Sequence, residues 1–375
     1  MRAPISLVAV LATLHAARAD TFDVSFEQPG LDRWMYPFNA TPGTRSTFSV
    51  FGSDREVQTQ FDARDGQVLL AFDTAPQIPT GEGATGYVIT GAEVTLQVAN
   101  DLVFRLDPTS DPWTCFLPSN DPRVTADTDP GQPIELFGVG FRGGWSASTF
   151  QENTVFANAG QSALSPGVRN AFAAQVDAQG ALTDASNNPR VGFQAKSFAV
   201  GTVPGLAAGA LVPMNTVMKF TLDVSDPGVQ RYLASALDGG RLFLAVSALT
   251  LVQQQGGAFP SFYSKENALV SFGLAQAPRL RLQVETASPC IATDLDCDGR
   301  VDFGDIAIAL LDFGPCDACA SDVDGSGLVD FGDVAFILLD FGWSTPPRRS
   351  RRAGASRPRA RWRARRRARA QSRFG

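Results

Sequence analysis

Residues 294–314 read DLDCDGRVDFGDIAIALLDFG, and residues 322–342 read DVDGSGLVDFGDVAFILLDFG. The two stretches align without a gap, 28 positions apart, and share 14 of 21 residues. A chain that writes one acidic, glycine-marked segment twice builds one structural unit twice. In the first copy the acids fall at positions 1, 3, 5, 9 and 12: Asp294, Asp296, Asp298, Asp302 and Asp305, with Gly299 at position 6. This is the oxygen-ligand spacing of an EF-hand-type calcium loop, in which a hard cation gathers about six to eight oxygens and glycine allows the sharp turn. Arg300, at position 7, would offer its backbone carbonyl, and the apolar Val301 suits a short bridge between paired loops. The second copy supplies Asp322, Asp324, Ser326, Gly327, the Leu328 carbonyl, Val329, Asp330 and Asp333, so only position 5 changes ligand type.

A helix is expected after each loop. Phe303, Ile306, Leu310 and Phe313 are spaced 3, 4 and 3, and Phe331, Val334, Leu338 and Phe341 repeat that spacing. Each set predicts one apolar stripe on a helix of about ten residues, with Gly314 and Gly342 as its C-cap glycines. One half alone would expose its stripe; two halves related by a pseudo-twofold would bury both. Two Ca2+ ions would neutralise the acids and so contribute folding energy.

The arrangement from Asp294 to Gly342 resembles a type I dockerin: two loop–helix halves without the incoming helix of a full EF-hand, and Asp at position 12. The resemblance implies a calcium-binding module that docks on a cohesin-like scaffold, often beside polysaccharide-degrading enzymes. Where cellulosomal members carry polar residues at the docking positions, this chain has Phe303-Gly304, Phe331-Gly332, Leu310-Leu311 and Leu338-Leu339. That departure leaves calcium binding intact and points to a calcium-stabilised unit of a secreted envelope protein.

Outward from the repeat, residues 20–286 show period-two patterning between Gly, Pro, Asn and Asp. GQVLLAFDTA, AEVTLQVAN, DLVFRLD, IELFGVGF, MKFTLDV, GRLFLAVSAL and PRLRLQVE read as strands. A helix is expected at 226–237, with Val229, Leu233 and Leu237 on one face. The fold class is mainly β: an antiparallel β-sandwich, jelly-roll-like, followed by a small α-helical double EF-hand-type module. Three pieces of this domain (QVLLAFDTAPQIPTG through VITGAEVTLQV, FTLDVSDPGVQRYLASALDGGRLFLAVS, and SFYSKENA through APRLRLQVE) are similar to disaggregatase-related β-sandwich modules. That similarity implies a carbohydrate-binding-module-like accessory unit and transfers no catalytic residue.

Residues 1–19 read as a secretory signal peptide, with Arg2, an apolar run and Ala17-Arg18-Ala19 as the cleavage site. No later stretch is apolar enough to span a bilayer. The expected location is therefore extracellular or cell envelope. Residues 287–293 read as a linker, and 343–375 as a disordered Arg-rich tail. From 348 to 375 there are 13 Arg and no acid, whereas 20–347 carries 17 basic and 38 acidic residues, so an acidic body wears a basic tail. The tail suits an anionic polymer by charge alone; nucleic acid is a poor fit for an exported chain, and a reading-frame accident would give the same composition.

Export also frames the cysteines. Cys290, Cys297, Cys316 and Cys319 allow two disulfides in three connectivities, with zinc as the competing reading of Cys316-x-x-Cys319, and Cys115 is left as a thiol. The only histidine is His15, which excludes Ser-His-Asp, Cys-His and His-bearing metal sites from the mature chain. Two functions stay open. One is a non-catalytic, calcium-binding secreted protein whose sandwich binds glycan or a surface, with Trp34, Tyr36 and Trp145 as candidate sugar-stacking aromatics against ordinary packing. The other is an extracellular polysaccharide-degrading enzyme, a glycoside hydrolase or lyase with a carboxylate pair about 5–9.5 Å apart. The Asp-rich stretch 107–129 reads as turn chemistry before proline rather than as another calcium loop.

Overall fold

The structure, a computed structural model, describes residues 20–53, 60–252, 259–286, 291–296, 299–316 and 319–344. The expected signal peptide, Cys290, Cys297, Asp298 and everything from Thr345 onward lie outside the described residues. The described chain falls into two compact units, 20–286 and 291–344.

The first unit is mainly β and mainly antiparallel. Its long strands are β1 (Asp20–Phe26), β2 (Gln67–Asp73), β3 (Tyr87–Gln97), β4 (Ile134–Phe141), β5 (Ala171–Val176), β6 (Val217–Thr221), β7 (Arg241–Ala248) and β8 (Arg279–Thr286). One sheet has the order β1-β8-β3-β6. The other contains β2-β7-β4-β5, with Leu31–Met35 beyond β2 and Leu182–Asp184 beyond β5. Strand periodicity sorts the side chains. On β8, Leu280, Leu282 and Val284 are buried while Arg281 is exposed. On β2 and β7 both faces are buried: Val68, Leu70, Phe72, Leu242, Leu244 and Val246 enter the large core that both sheets feed. The alternate residues Leu69, Ala71, Phe243 and Ala245 join a second cluster with Phe137 and Phe150. Burial on both faces gives these strands their nearly continuous apolar runs.

Helix α1 (Pro227–Asp238) forms where expected. The Asp226 carboxylate accepts from the Gly228 and Val229 amides at 2.8 and 3.0 Å, and Pro227 fits the first turn. Val229, Leu233 and Leu237 enter the main core. DLVFRLD, expected as a strand, is not one: Leu102 sits at φ 55°, and only an isolated bridge, Arg105 to Leu211, forms there. Phe104 and Leu106 are buried nonetheless, so its alternation reports a packed loop.

Two buried acids of this unit, Asp62 and Glu135, are matched by buried arginine. The Arg169 guanidinium donates to Asp62 at 2.6 Å and to the carbonyls of Met35, Arg64 and Asp65. Arg64 pairs with Glu135 at 2.6 Å. Burial works to raise the Asp62 carboxyl, but Arg169, the Asn187 amide and the Gly167 N–H outweigh it and hold it below its ordinary range.

The second unit contains α2 (Phe303–Leu311) and α3 (Phe331–Leu339). Its core is Val301, Ala309, Val334 and Ile337, with Ile291, Leu295, Ile306, Val323 and Trp343 against it. Ile291, expected in the linker, and Trp343, expected in the tail, are therefore part of this packing. The expected stripes are corrected. Phe303 and Phe331 are about three-quarters exposed, and Leu310 and Leu338 are also exposed. The cause is Asp305 and Asp333, which turn inward; the residues one turn on, Ala309 and Ile337, share that face and carry Phe303 and Phe331 outward. Each outward ring still finds a partner across the pseudo-twofold: Phe303 meets Phe341 at 5.0 Å and Phe331 meets Phe313 at 5.1 Å between centroids. The helices stop at Asp312 and Asp340, before the glycines expected as caps. Gly314 pairs instead with Val329, while Val301 exchanges hydrogen bonds with Gly342 and Trp343. Among the described residues each loop is thus bridged to the chain leaving the other helix.

Replacing Arg169 with Met should strand the Asp62 carboxylate in the interior and cost about 3–5 kcal/mol at neutral pH. Because Asp62 is depressed, its pairing stabilises above the ordinary carboxylate range and is lost as pH falls through that range. Urea unfolding of both proteins should show the gap narrowing toward acid pH.

Candidate functional site

Each repeat builds its loop from backbone amides folded onto carboxylates. Gly299 and Gly327, at position 6, have φ of 83° and 84°, the left-handed region that glycine enters without strain. Their amides donate to position 1, Gly299 to Asp294 at 3.0 Å and Gly327 to Asp322 at 2.8 Å. Position 12 is held just as closely. Asp305 accepts from the amides of Leu295, Asp296 and Asp302, and Asp333 accepts from those of Asp324 and Asp330. Burial works to raise the Asp333 carboxyl, but these amide donors outweigh it and hold it below its ordinary range.

This folding gathers the acids. Asp294, Asp296 and Asp305 bring carboxylate oxygens within 4.8 Å of one another, and Asp322, Asp324 and Asp333 do the same. Positions 1, 3 and 12 therefore converge in both repeats. Position 9 does not join them: Asp302 and Asp330 are the N-caps of α2 and α3, accepting from Gly304 at 2.8 Å and Gly332 at 2.6 Å. At position 5, the Ser326 hydroxyl donates to the Leu328 carbonyl at 3.1 Å, while Asp298 lies outside the described residues. Arg300 is exposed, and its backbone bridges to Ser344.

Two further groups of three carboxylates converge as tightly in the first unit, and no local motif announces either. Asp32, Glu152 and Glu266 form one, and Asp107, Asp111 and Asp129 the other. The first already holds a cation: the Lys265 ammonium lies 3.1 Å from Asp32, 3.0 Å from Glu266 and 2.5 Å from Glu152. Oxygen-only donor sets of this kind can hold a hard metal ion. Cys316 and Cys319, by contrast, bond to each other as a disulfide, and Cys115 is a half-buried thiol.

The candidate aromatics divide. Trp34 stacks on Tyr36 at 4.5 Å, lies under the Arg45 guanidinium, and donates to the Ser49 carbonyl. Burial pushes the Tyr36 hydroxyl up to about 12. Both rings are half-buried, and both also pack edge-on against Phe51. Trp145 borders a cleft of about 640 Å3 with Phe141, Leu182, Arg231, Tyr232 and Phe243. Among the described residues the cleft lining contains no Asp or Glu.

Among the described residues no helix is long and apolar enough to cross a membrane. No protein-family model matches the chain, and no curated protein matches it either.

Because Asp330 is both loop residue and N-cap, Asp330→Ala should loosen α3 by about 1 kcal/mol. Asp330→Asn, which keeps an acceptor, should lose much less. Hydrogen-exchange mass spectrometry should show faster exchange in residues 331–339 for the alanine variant only; equal exchange in both would remove the cap from the account of the loop.

Proposed function

We propose that this chain is a secreted, non-catalytic calcium-binding protein, in which a β-sandwich that binds glycan or a surface carries a C-terminal dockerin-like attachment module. The observation that carries the reading is the twofold convergence of positions 1, 3 and 12 around a left-handed glycine. Asp294, Asp296 and Asp305 would hold one ion, and Asp322, Asp324 and Asp333 the other. The donor set fits: it is all oxygen and strongly anionic, as calcium requires, with neither sulfur nor imidazole. Calcium would supply the positive charge that lets each loop close against its helix.

The sandwich reading is supported by strand order. Numbered along the chain, the eight long strands lie 1-8-3-6 in one sheet and 2-7-4-5 in the other, the wrapping of a jelly roll. The cleft beside Trp145 is a candidate place for a ligand on this unit, being largely apolar with a few polar groups. The exposed Phe and Leu side chains of α2 and α3 fit attachment to an apolar surface on a cohesin-like or envelope partner.

Calorimetric titration of the full chain with Ca2+ tests the reading. Asp294→Ala and Asp322→Ala should each remove one ion from the stoichiometry, and together they should remove two. If the double variant binds as many ions as the parent chain, the calcium-loop reading fails.

A further inference from the structure

The cluster of Asp107, Asp111 and Asp129 differs from the one at Lys265 in one respect that matters. Its carboxylate oxygens also converge within 4.8 Å, yet no described Lys or Arg pairs with any of the three. Glu135, whose charge acts on Asp111, is itself paired with Arg64. Asp107 and Asp111 are more than nine-tenths buried, at 3 % and 7 % exposure. Asp107 uses one oxygen as turn chemistry requires, accepting from the Thr109 amide at 2.9 Å and hydroxyl at 2.7 Å. Its other oxygen, Oδ2, is buried with no hydrogen-bond partner, and so is Oδ2 of Asp111. The Thr109 hydroxyl also lies 3.0 Å from Asp129, but it has one proton and can satisfy only one of the two carboxylates.

Two unsatisfied carboxyl oxygens in one buried spot carry a desolvation cost for the charged form that the neighbouring acids only increase. A bound cation removes both penalties at once. We propose that Asp107, Asp111 and Asp129 form a third cation site, separate from the repeat loops, that takes a hard divalent ion of the calcium class. All its donors are oxygen, and exposed Asp129 leaves one side open for water to complete the coordination. The ion would tie together the two ends of the segment 112–128, which contains no strand and only the short helix Trp113–Phe116. Arg123 sits on that segment, exposed, ion-paired with Asp121 and lying over the Trp113 ring, and marks a trypsin site whose cleavage reports on the segment's opening.

The test uses the full chain and Ca2+ as the probe. Equilibrium dialysis should show one ion fewer per chain for the Asp111→Asn, Asp129→Asn double variant than for the parent. Asp121→Asn, in the same segment but outside the cluster, should bind as many ions as the parent. Both asparagines preserve side-chain shape, and an unchanged circular dichroism spectrum would confirm folding. At Ca2+ about tenfold above Kd, cleavage after Arg123 should slow about tenfold in the parent and not in the double variant. Equal ion counts in parent and double variant would overturn the proposal, because Asp111 would then simply be a buried carboxylic acid. The comparison reads the same difference of one ion whether or not the repeat loops bind calcium.

Discussion

Three carboxylates gathered within 4.8 Å repel one another unless a positive charge lies among them, and the described residues gather them in four places. At that distance each pair costs about 1 kcal/mol in water and about 3–4 kcal/mol at the effective dielectric of a protein's edge. Three such pairs rival the whole stability of a small domain. For one cluster the chain supplies the counter-charge itself, as the Lys265 ammonium. For the two repeat loops and the Asp107 cluster, a bound divalent cation is the proposed equivalent.

The C-terminal unit depends on this balance more than the β unit does. Its buried core is small, four fully packed apolar side chains with a rim of half-buried ones, and its helices are nine residues each, too short to persist alone in water. The loops set which face of each helix turns inward, because Asp305 and Asp333 must reach back to amides of their own loops. The β unit rests on a large two-sheet core with arginines matched to Asp62 and Glu135, so a single further cation would order a loop rather than create the fold.

The repeat was the most legible part of the sequence, because its chemistry is local. Position 6 had to be glycine for the turn, and positions 1, 3 and 12 had to be acids to converge. Strands such as Ile134–Phe141 and Arg279–Thr286 were legible for the same reason, since period two is visible in a few residues. What needed distant partners was not. Apolar spacing alone put Phe303 and Phe331 in the core, where the reach of a neighbouring aspartate turns them outward. Asp107, Asp111 and Asp129 each precede proline and read as turn residues. Asp107 does make its turn with one oxygen, but only the fold brings the other oxygens of the group together. Nor could Lys265 be matched to Asp32 and Glu152 from a sequence in which they stand 233 and 113 positions away.

The most direct measurement is long-wavelength anomalous diffraction from crystals grown with Ca2+, which places each ion without assuming its ligands. Calcium peaks are expected among Asp294, Asp296 and Asp305, among Asp322, Asp324 and Asp333, and among Asp107, Asp111 and Asp129, with none at the cluster that Lys265 already serves. Bare repeat loops, or a peak displacing the Lys265 ammonium, would contradict the claim that the repeat loops and the Asp107 cluster take metal while the Lys265 ammonium serves the remaining cluster.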